Sequence, residues 1–308
     1  MLLLLSGCSS MPEANYQAGH DNLPARVELQ NVPFYPQEKY QCGPSALAMV
    51  FAYDGKAVSP DELRKMVYLP GREGTLQVEM LAATRRMGLL PYVLDSDPMA
   101  LLKELSAGHP VVVLQNLRFS FFPEWHYAVL IGYDLPSNKI ILHSGTDRRL
   151  VMMLDDFDRS WAKSGRWAFV ALPPGQLPAS AEESRFVEAA VALEQVSPGA
   201  ARIVYETAVA KWPGDLIARI GLGNAAYARH NLHDAEAEYR TATIDHPESG
   251  DAWNNLAQVL HDQGRNQEAL VAIKRALRIG GEREELYKST LETIKNDMAG
   301  RAAFVLTK

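Results

Sequence analysis

The rhythm of hydrophobic and polar positions changes once along the chain, near residue 180, and that change divides it. Before it, runs rich in β-branched and aromatic residues at 110–115, 126–134, 139–143 and 167–172 read as strands. The middle two are joined by a Pro-Ser-Asn turn and should pair as a hairpin. Helical spacing lies among them: Ala46, Leu47, Val50 and Phe51 after a Gly-Pro pair; a Ser59-Pro60 start with early acids through Met66; and Leu76, Met80, Leu81 and Met87 behind Thr75 as cap. A short helix over 99–105 closes at Gly108, and Asp155, Asp156 and Asp158 cap another. Pro33 and Pro36 keep 27–37 at an edge or in extended coil. Mixed strands and helices predict an α+β domain over 24–178, closed by Pro173, Pro174, Gly175 and Pro178 as a linker.

Beyond the linker, over 182–308, strand patterns vanish and Ala-rich helices repeat. Ala201, Ala235 and Ala269 recur at 34 residues, as do Tyr205, Tyr239 and Ile273, then Ala208, Ala242 and Ala276. Pro213 and Pro247 follow, with Gly281 in third place. This period and order resemble the tetratricopeptide repeat, which implies an all-α solenoid of three repeats with a capping helix near 282–295. Small residues let paired helices approach while the aromatic fills the gap. The repeat pattern places Asn224, Asn254 and Gln258 along a concave groove, where a protein partner would bind.

Composition narrows the field. The chain has 308 residues, of which 47% are hydrophobic and 22% charged, an ordinary globular balance. Its formal charge of -6 argues against a general nucleic-acid binder. Nothing in the sequence calls for a cofactor or a metal. The first 23 residues read as a signal remnant and polar tether, and Leu5-Ser6-Gly7-Cys8 resembles the lipobox of bacterial lipoproteins. That resemblance implies lipidation at Cys8 and an outer-membrane protein facing the periplasm, with contact to the membrane through the lipid alone. The basic and apolar parts of a signal peptide are short here, as expected of a clipped start. With Cys8 lipidated, Cys42 is left unpaired, which marks a reactive thiol in an exported protein.

Cys42 precedes Gly43-Pro44 and an apolar helical run, so it should sit at a helix N-terminus. First-turn amides and the helix dipole favour a thiolate there. His126 opens its strand after an aromatic loop containing Phe119, Phe121, Phe122 and Trp125, well placed to act as base for a thiol. Gln37, preferred over Gln41 because adjacent side chains diverge, supplies an amide donor to join the Cys42 N–H in an oxyanion hole.

In order, Cys42-Gly43-Pro44-Ser45-Ala46-Leu47-Ala48-Met49, the helix ending Met87-Gly88-Leu89, Leu101 to Val113 and His126-Tyr127-Ala128-Val129-Leu130-Ile131-Gly132-Tyr133-Asp134 resemble the bacteriocin-leader-processing, double-glycine cysteine peptidases over most of 30–160. The resemblance implies a papain-like fold with Cys42 as nucleophile, His126 as general base and acid, and Gln37 as oxyanion donor. Two positions depart from the family. Gln37 stands five residues before the cysteine rather than six, and Ser144 occupies the place of the aspartate that orients the imidazole. Asp147 is the nearest acid and the candidate third member.

The expectation is a lipid-anchored cysteine peptidase acting on peptide or protein substrates, with the repeats recruiting a protein. The chain lacks a Walker-type loop, so exporter-coupled leader cleavage is not the expected task. Two other readings differ in class: a binding lipoprotein whose peptidase site has decayed, and a transpeptidase or amidase on the same fold.

Overall fold

The computed structural model describes residues 22–37, 41–72 and 74–306. It divides into two compact units, one of residues up to 173 together with 177–181, the other of 174–176 and 182 onward. Cys8 lies outside the described residues.

The first unit runs β1 (Arg26–Glu28), α1 (Cys42–Tyr53), α2 (Pro60–Val67), β2 (Tyr68–Leu69), β3 (Gly74–Thr75), α3 (Gln77–Arg86), β4 (Leu90–Val93), α4 (Pro98–Ser106), β5 (Val111–Asn116), β6 (Trp125–Asp134), β7 (Lys139–Ser144), β8 (Asp147–Met153), α5 (Leu154–Ala162) and β9 (Ala168–Leu172). The main sheet has the order β4-β9-β5-β6-β7-β8, every pair antiparallel, and β1 adds to the far end of β6. Val112, Leu114, Tyr127, Val129, Ile131, Ile141, Phe169 and Ala171 present one face of this sheet to the apolar face of α1. Alternate residues on the other face, among them Val113, Ala128, Leu130 and Leu142, are buried as well. A sheet covered on both faces explains why its central strands read as continuous apolar runs rather than alternating ones.

Local chemistry accounts for the starts of α2 and α4, whereas α5 begins after Met153 with no side-chain cap, so the acids at 155, 156 and 158 do not cap it. Ser59 and Glu62 form the reciprocal capping box of α2, with Pro60 in the first turn. Asp97 caps α4, again with a proline following. At α3 the structure differs from the sequence expectation. Thr75 is not a cap but lies in β3, and the N-cap is Leu76, which makes no side-chain bond.

The second unit is helical throughout: α6 (Glu183–Glu194), α7 (Pro198–Lys211), α8 (Leu216–Ala228), α9 (Leu232–Asp245), α10 (Gly250–Asp262), α11 (Asn266–Ile279) and α12 (Glu284–Leu306). Ala201, Ala235 and Ala269 are fully buried, and Tyr205, Tyr239 and Ile273 are nearly so. The Tyr205 ring lies over Gly221 and the Tyr239 ring over Gly223, so close that a methyl group at either glycine would stand 2.5 Å and 2.3 Å from a ring carbon. The 34-residue pattern is thus a packing rule: an aromatic on one helix occupies the space a small residue leaves on its neighbour. Among the described residues no helix is long and apolar enough to cross a membrane.

Candidate active site

The site forms where β6 runs past the end of its pairing with β7. That pairing begins at Val129 opposite His143, leaving the backbone of Tyr127 without a ladder partner on that side. Two groups fill the gap. Gln37 donates from Nε2 to the Tyr127 carbonyl at 3.2 Å, and the sulfur of Cys42 accepts from the Tyr127 amide. Gln37 also bridges to the β7–β8 turn: its Oε1 accepts from Gly145 N at 3.1 Å, and its own N–H donates to Gly145 O at 3.0 Å. Residue 37 is therefore held at both backbone and side chain, with the second Nε2 proton still free.

Cys42 is the first residue of α1 and is half-buried. The N-cap, Gln41, makes no side-chain bond, so the first-turn donors are unclaimed by a cap. The amides of Tyr127, Gly43 and Cys42 itself pull the thiol towards ionisation, but burial acts more strongly and pushes it above its ordinary value. This differs from the expectation of a resting thiolate. The helix terminus does stabilise the anion, yet the sulfur is buried against β6 and the cost of desolvating charge is larger.

His126 sits on the adjoining residue of β6, covalently next to the amide that faces the sulfur. Its Nε2 lies 2.9 Å from Ser144 Oγ, which holds the ring at that nitrogen. Burial lowers its pKa, with Glu124 acting weakly in the opposite sense. Cys42 and His126 are not hydrogen-bonded to one another in this conformation. Burial thus acts on both groups in the direction of their neutral forms.

Asp147 does not fill the third place. It opens β8 directly opposite Ser144, is exposed, and makes no bond to His126. The two-residue turn over Gly145 and Thr146 brings Ser144 to the ring, so the hydroxyl rather than the carboxylate is the imidazole's partner. Thr75 also borders the site. Its side chain packs on Gly43, where a Cβ would meet Thr75 Cβ and Oγ1 at 2.8 Å, and its Oγ1 is buried without a partner. Its carbonyl accepts from Tyr127 Oη at 3.2 Å. The sequence pattern pointed to Thr75 as a helix cap rather than as a neighbour of the cysteine. Among the described residues, no cluster of histidine, cysteine and carboxylates has the makings of a metal site.

In the second unit, Asn254 is buried rather than placed along an open groove, and its Oδ1 has no partner. Asn224 accepts from Tyr239 Oη at 2.7 Å, and Gln258 donates to Asp262 at 3.0 Å.

A cysteine at a helix start, facing the amide beside a strand-borne histidine in an α+β unit, defines a cysteine-peptidase-like domain, here joined to helical repeats. Residues 29–169 match the Peptidase_C39 like family and residues 220–283 the tetratricopeptide repeat, so the chain carries a C39-like peptidase domain followed by tetratricopeptide repeats. No curated protein matches the chain in sequence. Among solved structures, a double glycine motif protease from an AMS/PCAT transporter, in complex with the leader peptide, is 23% identical, covering 47% of this chain and 93% of its own at a TM-score of 0.39. A putative C39-like peptidase from Bacillus anthracis is 19% identical, covering 48% and 97% at 0.41. The second unit is similar to the Yersinia enterocolitica type III secretion chaperone SycD in complex with a peptide of the translocator YopD, at 20% identity, 37% and 93% coverage and a TM-score of 0.35.

Proposed function

We propose that the chain is a cysteine peptidase of the bacterial cell envelope, anchored by lipid on Cys8, with the repeats recruiting a substrate or partner protein. One observation supports the catalytic reading: the Cys42 sulfur accepts from the amide of Tyr127, the residue that follows His126, and the His126 imidazole has its Nε2 2.9 Å from Ser144 Oγ.

Starting from neutral groups, the reaction begins with proton transfer. As the sulfur attacks the peptide carbonyl carbon, His126 takes the thiol proton and the carbonyl π electrons move to oxygen. The Cys42 N–H and the free Nε2 proton of Gln37 are the donors for that oxyanion, preorganised by the bonds Gln37 makes elsewhere. Collapse breaks the C–N bond, and the imidazolium gives its proton to the leaving amine. Water then attacks the thioester, losing its proton to His126, and the acid and free thiol are released.

Incubation with a peptide library beside a Cys42→Ala control tests this. Fragments made by the wild type and absent from the variant support hydrolysis; identical fragment patterns sink it. A second reading, a binding protein on a decayed peptidase fold, is favoured by one observation: a hydroxyl stands where a carboxylate would stabilise the imidazolium. Absence of turnover together with retained peptide binding would select it. An added amine nucleophile captured in the products would instead indicate transfer.

A further inference from the structure

The loop between β5 and β6 plays no part in the chemistry above, yet it is built with care. Its base is stiff. Asn116 Oδ1 accepts from the amides of Arg118 and Glu124 at 3.0 Å each, Leu117 N–H donates to Glu124 O at 3.0 Å, and Arg118 pairs with Glu124. Lys163 on the neighbouring helix end donates to Arg118 O at 2.8 Å. At the tip, Phe122 N–H donates to Phe119 O at 3.1 Å and closes a tight turn.

That turn carries Phe119, Phe121 and Phe122, which are 67%, 77% and 73% exposed. Phe119 and Phe121 stack at 5.4 Å, and Phe122 meets Phe121 edge-on at 5.7 Å, so the rings make one continuous apolar cap. Large aromatics held in water by a rigid, hydrogen-bonded stalk mark an interaction surface. The cap is convex. A protein partner would need a matching pocket, whereas a bilayer deforms around a protruding tip and accepts aromatic rings at its interface.

We propose that this aromatic hairpin dips into the membrane interface. At its base Arg118 is paired with Glu124, and Lys163, bonded only to the neutral Arg118 carbonyl, leaves these three groups with a surplus positive charge that suits an anionic lipid surface. The chain preceding the described residues points the same way. The step from Cys8 to Asn22 is fourteen residues, so a lipid on Cys8 would hold the domain within roughly 50 Å of the bilayer. Only this tether argument rests on the anchored reading given above; the tip's own affinity does not.

The test uses the full chain with Cys8→Ser, which removes any anchor, and vesicles of phosphatidylethanolamine mixed with phosphatidylglycerol. Co-sedimentation is expected, with quenching of Trp125 fluorescence by brominated lipid. The added pair Phe121→Ser and Phe122→Ser should weaken sedimentation roughly tenfold or more, while the alkylation rate of Cys42 stays unchanged as a check on folding. Failure of the Cys8→Ser chain to sediment, or equal sedimentation with and without the two phenylalanines, overturns the proposal. Vesicle binding that survives in the double variant while peptide binding is lost also overturns it, by assigning the tip to a polypeptide. The mass of native Cys8 peptides reports lipidation separately, so failure of the anchor is distinguishable from failure of the tip.

Discussion

At Cys42 opposing influences act on one sulfur, and the balance sets how the site responds to pH. Burial outweighs the three amides, so the thiol titrates above its usual range while His126 titrates below its own. Alkylation of Cys42 by iodoacetamide should therefore rise steadily with pH through about 8.5 and beyond, with no plateau on the acid side. A flat rate below neutrality would show a standing ion pair instead. Ser144 is the residue through which that balance can be moved. A carboxylate beside Nε2 favours the imidazolium and, through it, the thiolate, so Ser144→Asp should shift the alkylation profile to lower pH by about one unit or more. Ser144→Ala removes one neutral hydrogen bond worth about 1 kcal/mol, and should lower kcat several-fold with KM little changed. The Cys42 and His126 positions were legible because each stands at an element boundary with a motif around it. The place of the His126 partner was also legible as Ser144, but a hydroxyl there carries no carboxylate signal, and the nearest acid, Asp147, drew the third role instead.

Among elements, α1 and β6 fix the site, and both contain a glycine that another element touches. A methyl group at Gly43 would fall within 2.8 Å of Thr75. Gly43→Ala should push the start of α1 away from β6, with a destabilisation of about 1–3 kcal/mol and a greater loss in kcat than the stability change accounts for. At Gly132, beside the β6 irregularity, the methyl would stand 2.3 Å from the Val27 carbonyl. Gly132→Ala should detach β1 and lower the melting temperature, leaving the alkylation rate of Cys42 near wild type because β1 pairs at the far end of the strand. Strands β5, β6, β7 and β9 were readable as apolar runs because both faces of the sheet are covered. The strand β8 was not: its Arg148 and Arg149 face solvent with Asp147, and Val151 and Met153 are also exposed, so no buried face imprints a pattern on it. Asp147 consequently read as the candidate third member of the site rather than as the opening residue of an exposed edge strand.

For the whole molecule, the segment after β9 decides where the first unit ends. Proline and glycine at 173–178 mark a linker, but Leu177–Ala181 packs with the first unit. The reason is Glu104 on α4, which is fully buried. Its carboxylate accepts from Ala179 N at 3.2 Å, from Ser180 N at 2.7 Å and from Ser180 Oγ at 2.6 Å, and it pairs with His109 Nδ1 at 2.6 Å. Burial alone would raise its pKa, yet the bonds from His109 and Ser180 together outweigh that and hold it below the usual carboxylate range. Its folded pKa being depressed, the stability it adds is present above about pH 4.3 and is lost as pH falls through the lower folded value. Two truncations then separate a spacer from a structural strap. A chain ending at Ala181 keeps all four donors. One ending at Pro173 leaves a buried carboxylate with His109 alone, at a cost of about 3 kcal/mol or more, or roughly 6–12 °C in melting temperature. Calorimetry of the two fragments at neutral pH should show that gap, and it should narrow on acidification as Glu104 protonates in both. Equal melting temperatures at neutral pH would mean that 177–181 is only a spacer.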